Sequence, residues 1–449
     1  MADFTSTTRE GEDHVDGSGD IVMKTIRDVI EGTLEEEDPR TDSDDPFYIC
    51  NLDQVVKKHN QWLKELPGVQ PFYAVKCFPD QRIIETLVRR GAGFDCASKT
   101  EIRQVLNLGV SPDRIIYANP CKAISHLQFA KERGVSLMTF DNASELRKVK
   151  DVYPEAKLVL RIWAEDPAAF CRLSVKFGCK LHGVPSLFRL ARELGLNVCG
   201  ISFHVGSGSG NPEAYYEALK DARAAVDIGI SHGFDLQLID VGGGFPGVDA
   251  DALGFEKFAD ALRRGFSDFF PRGERSMRLI AEPGTYYASS ASTLVMRIIG
   301  KRDLSINPQR YSSGHIEEVR KDDTSQIQTA YYVNTGIYTT VKDAAMSDLE
   351  YPLQSLPTGE RQTPLYPSIV WGHSTSGIDC VNKRCLLPDL QEGDWLFIRD
   401  IGAYSSSLSC IDFSGFEKPT CVYCGKANEE SVKMEPAETT SPPSDYVRG

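Results

Sequence analysis

The sequence has 449 residues, enough for two or three domains or for one large barrel with an appendage. Hydrophobic residues make up 41% of the chain and charged residues 25%, as in ordinary globular proteins. The formal net charge of -14 argues against nucleic acid as a partner. No apolar run approaches the ~20 residues that span a bilayer, so we expect no membrane association.

The N-terminus and the cysteine content indicate the compartment. Residues 1–17, MADFTSTTREGEDHVDG, are acidic and polar, unlike a signal or transit peptide. Twelve cysteines in such a chain indicate free thiols in a reducing compartment, and we expect a cytoplasmic protein. Cys421 and Cys424 have zinc-like spacing, but no second pair matches it, so no metal site is expected.

In chain order, residues 1–46 form an acidic N-terminal segment with one short helical pattern, IVMKTIRDVIEGTLEEE. We expect this segment to be partly disordered and to contribute to a C-terminal β-domain. From 47 to 290, eight apolar runs alternate with amphipathic stretches, and we interpret each run as a strand. The runs are PFYAVK, GFDCAS, IIYANP, LMTFDN, KLVLRI, VCGISFHVG, LQLIDVGGG and RLIAEPG.

Eight strand–helix units over about 250 residues match an α/β fold, the parallel (β/α)8 barrel. A doubly wound open sheet is the alternative, because alternation alone does not distinguish closed from open sheets. From 291 to 425 the helical pattern fades, and runs such as STLVMRIIG, PSIVWG and DWLFIRD predict a β-rich domain. Residues 426–449 are rich in Pro, Glu, Ser and Thr, which predicts a disordered tail.

Unusual residues fall at the predicted strand ends. Lys76 follows four apolar or aromatic residues, although lysine is seldom buried without a partner. Alone, it would be expected to extend its charge to solvent. In a barrel, however, all carboxyl ends of the strands form one rim, where chemistry occurs. The same rim would carry Asp95, Arg161, His204, Glu282 and the glycines Gly242, Gly243 and Gly244.

Each of these residues has an ordinary structural explanation when taken alone. An aspartate can cap a helix, a histidine can lie in a core, and a glycine triplet can form a turn. Together they offer an amine that captures a carbonyl, backbone N–H groups that cradle a phosphate, and a carboxylate that holds a heterocyclic nitrogen protonated. These are the requirements of a lysine-linked pyridoxal phosphate site.

At these residues the sequence resembles the eukaryotic ornithine decarboxylase family, within the alanine-racemase-like class of pyridoxal phosphate enzymes. The resemblance covers roughly residues 45–425 and rests on PFYAVKC, GFDCASKTEI, IIYANPCK, RLSVKFG, SFHVGSG, DVGGGFPG, AEPG and GDW...GAY, in the family's order. It implies a barrel with a β-domain, and a homodimer whose active sites are shared across the interface.

The resemblance also implies residue roles. Lys76 would carry pyridoxal 5'-phosphate, His204 would stack on its ring, and Glu282 would pair with the ring nitrogen. Asp95 and Arg161 would line the site, and the phosphate would lie among Ser207, Gly242, Gly243, Gly244, Gly284, Thr285 and Tyr404. The reaction implied is removal of CO2 from an amino acid, followed by protonation of the α-carbon by an acid.

Three departures from the family concern the site. Thr285 in AEPGT replaces an arginine that holds the phosphate; a charge-assisted bond contributes ~1.5–3 kcal/mol against ~0.5–1.5 for a neutral one. Cofactor affinity would fall about tenfold. The second departure lies in WGHSTSGID, where Thr375 replaces the proton-donor cysteine and His373 is a candidate substitute for that donor. Ser376 replaces an aspartate that holds the substrate's side-chain ammonium.

The third departure lies in AAMSDLE, where an ungapped count puts Met346 and Ser347 at the family's tyrosine and second ammonium-binding aspartate. Asp348 is one residue further, so a register shift could restore the carboxylate. A buried ammonium without a partner costs several kcal/mol. The pocket formed by Met346, Ser347, Thr375 and Ser376 would therefore favour a neutral aliphatic amino acid of ornithine-like length, such as leucine.

Two other functions remain open: a true ornithine decarboxylase, and a non-catalytic protein resembling antizyme inhibitor. The segment NPCKAISHLQFAKERGVSLMTFDN aligns with the family's antizyme-binding region, so antizyme is a candidate partner. We favour the enzyme, because a chain without a cofactor has no physical reason to keep a buried lysine beside a carboxylate.

Overall fold

The computed structural model describes residues 18–32, 44–248, 253–271, 277–304, 309–312, 315–318, 327–342, 351–356, 364–410 and 413–428. Met346, Ser347 and the tail from 429 lie outside the described residues. The chain begins with α1 (Ser18–Ile30) and β1 (Phe47–Asn51). None of the helices in these ranges is long and apolar enough to cross a membrane.

Eight parallel strands close into a barrel, which confirms the predicted fold class. Closure is made by the pairing of the first barrel strand with the last, with Val69 opposite Leu279, so the open sheet is excluded. Each of the eight apolar runs supplies one strand. They are β2 (Val69–Ala74), β3 (Gly93–Cys96), β4 (Ile115–Tyr117), β5 (Leu137–Phe140), β6 (Lys157–Arg161), β7 (Asn197–Ser202), β8 (Leu238–Asp240) and β9 (Arg278–Ala281).

Helices surround the barrel, and polar caps fix where several of them begin. The side chains of Asp80, Ser98 and Asn142 each accept a hydrogen bond from the backbone N–H three residues later, which satisfies an otherwise unpaired donor. The helices are α2 (Leu52–Glu65), α3 (Gln81–Arg89), α4 (Lys99–Asn107), α5 (Ile124–Glu132), α6 (Ala143–Val152), α7 (Val184–Glu193), α8 (Glu213–Ser231), α9 (Phe255–Phe269) and the short α10 (Thr285–Ala288).

An apolar layer closes the lower barrel and sets the position of the charged residues above it. It consists of Phe72, Ile116, Leu137, Val159, Leu238 and Ile280. Because alternate strand residues share a face, the residues two positions after Val159, Leu238 and Ile280 also point inward, nearer the carboxyl ends. Those residues are Arg161, Asp240 and Glu282. The sequence therefore places charge directly above a dry floor.

The C-terminal strands form a mixed sheet in the order β14-β17-β10-β13-β15-β16, with β1 between β10 and β18. Apolar residues of α1, including Val22 and Ile26, cover one part of this sheet. The domain boundaries at 46, 290 and 425 remain a prediction. The C-terminal strands of this mixed sheet are β10 (Ser292–Asp303), β13 (Thr329–Val333), β14 (Gln354–Ser355), β15 (Tyr366–Trp371), β16 (Cys380–Leu387), β17 (Trp395–Ile398) and β18 (Thr420–Cys424). A separate two-stranded sheet consists of β11 (Gln309–Ser312) and β12 (His315–Glu318).

Candidate active site

Lys76 and Asp95 form an ion pair at the carboxyl end of the barrel. The register of β2 and β3 sets Ala74 opposite Asp95, so Lys76 lies just beyond the carboxylate. Asp95 is fully buried, whereas 39% of the Lys76 side chain is exposed. Burial lowers the pKa of Lys76, but Asp95, Tyr404 and Glu282 outweigh that effect and hold this pKa above its ordinary value. The amine is therefore charged, paired, and open to a ligand on one side.

Glu282 lies just above the apolar floor of the barrel, near Arg161. Burial, Asp240 and Asp95 raise the pKa of Glu282 well above its ordinary value, which Lys76 and Arg161 only partly oppose. Its Oε1 atom has no hydrogen-bond partner among the described residues. A buried acceptor without a donor is costly in a finished core. The carboxyl group is thus available to a ligand that brings an N–H group.

His204 is a neutral imidazole in this site. Burial lowers the pKa of His204 well below its ordinary value, and the nearby Arg161 and Lys76 lower it further. Its Nδ1 atom accepts a hydrogen bond of 3.1 Å from the Gly206 N–H, so the ring carries its proton on Nε2. A fixed, uncharged ring is suited to stacking on a planar ligand.

The glycine triplet after β8 needs glycine for its shape. Gly242 and Gly244 have φ of +67° and +106°, in the left-handed region. A Cβ atom on Gly242, Gly243 or Gly244 would collide with the backbone oxygen of Phe203, Glu282 or Gly206 respectively. The triplet therefore passes close to neighbouring backbone where no side chain would fit. The Gly242 N–H donates to Asp240 Oδ1 at 2.9 Å, and the N–H groups of Gly243 and Gly244 are left to face an anion.

Four further predicted residues lie in the same region. Tyr404 donates its backbone N–H to the Cys77 oxygen at 2.9 Å, next to Lys76. The hydroxyl of Tyr404 lies near Ser207, and burial raises the pKa of Tyr404 above its ordinary value. A Cβ atom on Gly284 would lie 2.9 Å from the Cys77 Cβ atom, so Gly284 also contacts the lysine segment. Thr285 follows it as the first residue of α10.

Asp166 anchors the loop that carries Ser207. Its side chain accepts hydrogen bonds from the Ser209 hydroxyl at 2.8 Å and from the Gly210 N–H at 2.9 Å. Ser207 and Cys171 exchange two backbone hydrogen bonds of 3.0 Å across the same loops. The position of Ser207 is therefore fixed by a buried network that sequence reasoning missed, because Asp166 follows no strand and belongs to no motif.

Thr375 and Ser376 lie elsewhere in the single chain, on the connection between β15 and β16. No hydrogen bond, ion pair or ring contact joins either residue to the barrel site within the described ranges. Ser376 is bonded to the Tyr338 hydroxyl at 2.9 Å. Both residues border a cavity of about 300 Å³ whose walls are mostly apolar: Leu304, Ile327, Ala330, Ile369 and Trp371.

His373 faces a different cavity. Its ring stacks on Phe416 with 3.6 Å between centroids, and it lines a cavity with Asn334 and Gly415 rather than with Thr375. Burial lowers the pKa of His373, so it is a neutral group. This placement weighs against His373 as the substitute proton donor.

We expect alanine in the glycine triplet to be destabilising mainly because its Cβ atom would collide with neighbouring atoms, in addition to the cost of a left-handed backbone. Gly244→Ala would combine a left-handed backbone with collisions, whereas Gly68, at φ +91°, has nothing within 4 Å of its added Cβ. Gly68→Ala should cost about 1–2 kcal/mol of unfolding free energy, and Gly244→Ala at least about 3 kcal/mol. Urea denaturation of both variants measures the difference. Equal losses would contradict the close approach.

The barrel rim therefore offers an amine, an anion cradle, a flat neutral ring and an unpaired buried carboxyl group. These match the carbonyl, phosphate, ring face and ring nitrogen of pyridoxal 5'-phosphate. The predicted residues Lys76, Asp95, Arg161, His204 and Glu282 come together here, as do the phosphate residues. Lys76 lies two residues beyond the end of β2, in the 3-10 turn Val75–Cys77, rather than at the end of the strand itself. Asp240, beside Glu282, was not predicted, although it is a charged residue at the end of an apolar strand.

Comparison with known proteins gives one family. Residues 52–289 match the family model described as "Pyridoxal-dependent decarboxylase, pyridoxal binding domain". Ornithine decarboxylase of Rattus norvegicus is 42% identical over 401 residues, covering 89% of this chain and 84% of the relative. Antizyme inhibitor 2 of Xenopus laevis is 40% identical over 400 residues, covering 88% and 84%.

A solved structure agrees with these sequence matches. Arginine decarboxylase of Paramecium bursaria Chlorella virus superimposes with a TM-score of 0.78 at 32% identity, covering 90% of this chain and 100% of the other. The similarity thus extends over the barrel and the C-terminal sheet together.

Proposed function

Since this chain belongs to the family of pyridoxal phosphate-dependent amino-acid decarboxylases that includes ornithine decarboxylase, we propose that it decarboxylates a neutral aliphatic amino acid such as leucine. The observation that carries the proposal is Ser376, a neutral residue where the family has an ammonium-binding aspartate. The nearby Asp379 is buried, and its two oxygens accept the backbone N–H groups of Ile337 and Ser374 at 2.9 Å. It is occupied in shaping the loop.

The cofactor is pyridoxal 5'-phosphate, and when bound it supplies the sink for the electron pair released as CO2 leaves. Lys76 would hold its aldehyde carbon, and Glu282 would face its ring nitrogen. His204 would cover one ring face. The phosphate would be held by Ser207, Tyr404 and the N–H groups of Gly243 and Gly244, with Gly284 and Thr285 beside it. The Gly242 N–H is occupied by Asp240 Oδ1 at 2.9 Å, so Gly242 would contribute the shape of the turn.

The residues of the chain itself bind, orient and move protons. Asp95 would hold the Lys76 amine beside the aldehyde carbon of the cofactor, and it balances the charge of the Lys76 ammonium when that amine has no covalent partner. The apolar floor excludes water from below, which strengthens each charge interaction above it. Thr285 provides a hydroxyl where the family has an arginine, so the phosphate relies more on backbone donors.

The test has two stages. An absorbance spectrum of the purified protein should show a bound cofactor, and CO2 release should then be measured with each common amino acid. We expect the highest kcat/KM for leucine or a similar neutral residue. A protein that binds the cofactor but releases CO2 fastest from a basic amino acid would contradict the substrate and leave the reaction type intact.

A non-catalytic regulator resembling antizyme inhibitor is the second candidate. Thr285 and Thr375 favour it, since both replace family residues that serve the cofactor or the proton transfer, and antizyme inhibitor 2 is a relative. The paired Lys76 and Asp95 favour the enzyme, because an ion pair at a barrel rim without a ligand brings little stability. A colourless protein that stays inactive with excess cofactor would support the regulator. Antizyme binding is compatible with either function, and we propose a cytoplasmic location for both.

We also propose a homodimer whose sites are shared. No hydrogen bond, ion pair or ring contact joins Thr375 or Ser376 to the barrel site within the described part of one chain, and a partner chain could bring them to that site. The loop after β6 also leaves Phe170 and Val175 with 55% and 81% of their surface exposed. A partner chain that covered these two side chains would remove apolar surface from water, which favours association.

Mixed dimers test the shared site. We expect Lys76→Ala and Ser376→Trp each to be inactive, and an equal mixture to recover about a quarter of the normal activity, because half of the dimers would hold one intact site. As a matched control, Lys76→Ala mixed with Glu282→Gln should recover nothing, since both changes affect the same half of each site. No recovery in the first mixture, with subunit exchange verified by tags, would contradict sharing.

A further inference from the structure

A second carboxyl group, that of Asp240, lies beside Glu282 on the floor of the site. Asp240 ends β8 and is fully buried, and the carboxyl group of Glu282 is close enough to affect the pKa of Asp240. The pairing of β8 with β9 brings them together, and the Glu282 N–H donates to the Gly242 oxygen at 2.7 Å. Asp240 Oδ2 and Glu282 Oε1 each lack a hydrogen-bond partner among the described residues. Two acceptors side by side therefore lack a donor.

The charges around this pair do not balance. Three buried carboxyl groups, Asp95, Asp240 and Glu282, face two cations, Lys76 and Arg161. His204 is neutral, and Asp141, which accepts the Gly178 N–H at 2.8 Å and lies near Arg161, adds to the negative side. An excess charge in a dry floor is costly unless a proton neutralises it. In agreement, burial raises the pKa of Asp240 to about 7 and that of Glu282 well above its ordinary value.

We propose that Asp240 is a positioning residue that shares one proton with Glu282, and that this proton passes to the ring nitrogen of the cofactor on binding. The O–H bond of the pair breaks and an N–H bond forms, so the pair gains one negative charge and the ring one positive charge. Asp240 and Glu282 then face the ring nitrogen as two anions, which keeps it protonated. The inference rests on the proposed role of Glu282 at that nitrogen.

The second oxygen of Asp240 makes the test selective. Oδ1 accepts the Gly242 N–H at 2.9 Å, and the amide oxygen of Asp240→Asn can keep that bond while the charge and the shared proton are removed. Asp240→Ala removes both. The probe is pyridoxal phosphate labelled with ¹⁵N in the ring, bound without substrate, and the measurement is its ¹⁵N chemical shift against pH.

In the unchanged protein we expect a protonated ring nitrogen between about pH 6 and 9, and in Asp240→Asn a midpoint at least about one unit lower. If Glu282→Gln lowers the midpoint and Asp240→Asn does not, the inference is overturned while the proposed function stands. If neither variant changes it, the role of Glu282 fails as well. A change in Asp240→Ala alone would mean that Asp240 only shapes the glycine turn, which also overturns the inference.

A second measurement applies if the variants bind the cofactor poorly. The pKa of Asp240 is raised in the folded state, so the folded protein keeps a proton that the unfolded chain has already released. The unfolding free energy of the cofactor-free protein should therefore fall as pH rises through about 7. Asp240→Asn has no such proton to lose. Its Tm should therefore exceed that of the unchanged protein by more at pH 8 than at pH 5. A Tm difference that is the same at both pH values would overturn the shared proton.

Discussion

Replacement of Lys76 by alanine is expected to abolish covalent attachment of the cofactor and to lower kcat by at least about a thousandfold. Lys76 is the amine held beside a buried carboxylate at the rim, and no other lysine is bonded to Asp95 in the described part of the chain. The measurement combines steady-state kinetics with borohydride reduction, digestion and mass spectrometry. Reduction should fix the cofactor to the peptide that contains Lys76 and nowhere else.

Controls separate lost chemistry from lost folding. Lys150→Ala changes an exposed lysine on α6 and should leave both attachment and rate unchanged. Lys76→Ala also leaves Asp95 buried without its cation, which is destabilising, so Lys76→Ala with Asp95→Asn serves as a folded, uncharged comparison. Attachment at a different lysine, or normal turnover by Lys76→Ala, would contradict the assignment of Lys76.

The barrel strands were predictable because they are buried on both faces and therefore form continuous apolar runs. β1 and β16 were not predicted. In β16, Asn382, Lys383 and Arg384 interrupt the apolar pattern, and only pairing with β15 makes the segment a strand. An apolar run in the sequence indicates a buried strand. A strand that forms only because it pairs with a segment distant in sequence leaves no such local pattern.

The site shows the same division. Lys76 could be predicted because a charged residue at the end of an apolar run is unusual, and Asp240 carries that same signal in LQLIDVGGG. What could not be predicted is that Asp240 meets Glu282, since this contact follows from the pairing of β8 with β9. The anchoring role of Asp166 also depends on two loops meeting, which no local pattern encodes.

Discrimination against a basic side chain is the second large effect. If Ser347 and Ser376 stand at the two ammonium-binding positions, the distal pocket has no fixed negative charge. Ornithine would bury its ammonium without a partner, a cost of about 3–5 kcal/mol, or a factor of hundreds or more in kcat/KM. Leucine avoids that cost, and each buried methylene contributes ~0.8 kcal/mol. Parallel kcat/KM measurements with both substrates test the ratio.

Restoring the carboxylates should reverse the preference. Ser347→Asp with Ser376→Asp should raise kcat/KM for ornithine and lower it for leucine, because an unpaired carboxylate then meets the neutral side chain. Ser347→Asn with Ser376→Asn is the matched control: it has nearly the same size but no charge, and it should not favour ornithine. If the unmodified protein decarboxylates ornithine faster than every neutral amino acid, Asp348 or another carboxylate holds the ammonium. The ungapped count that puts Ser347 at the second ammonium-binding position would then be wrong.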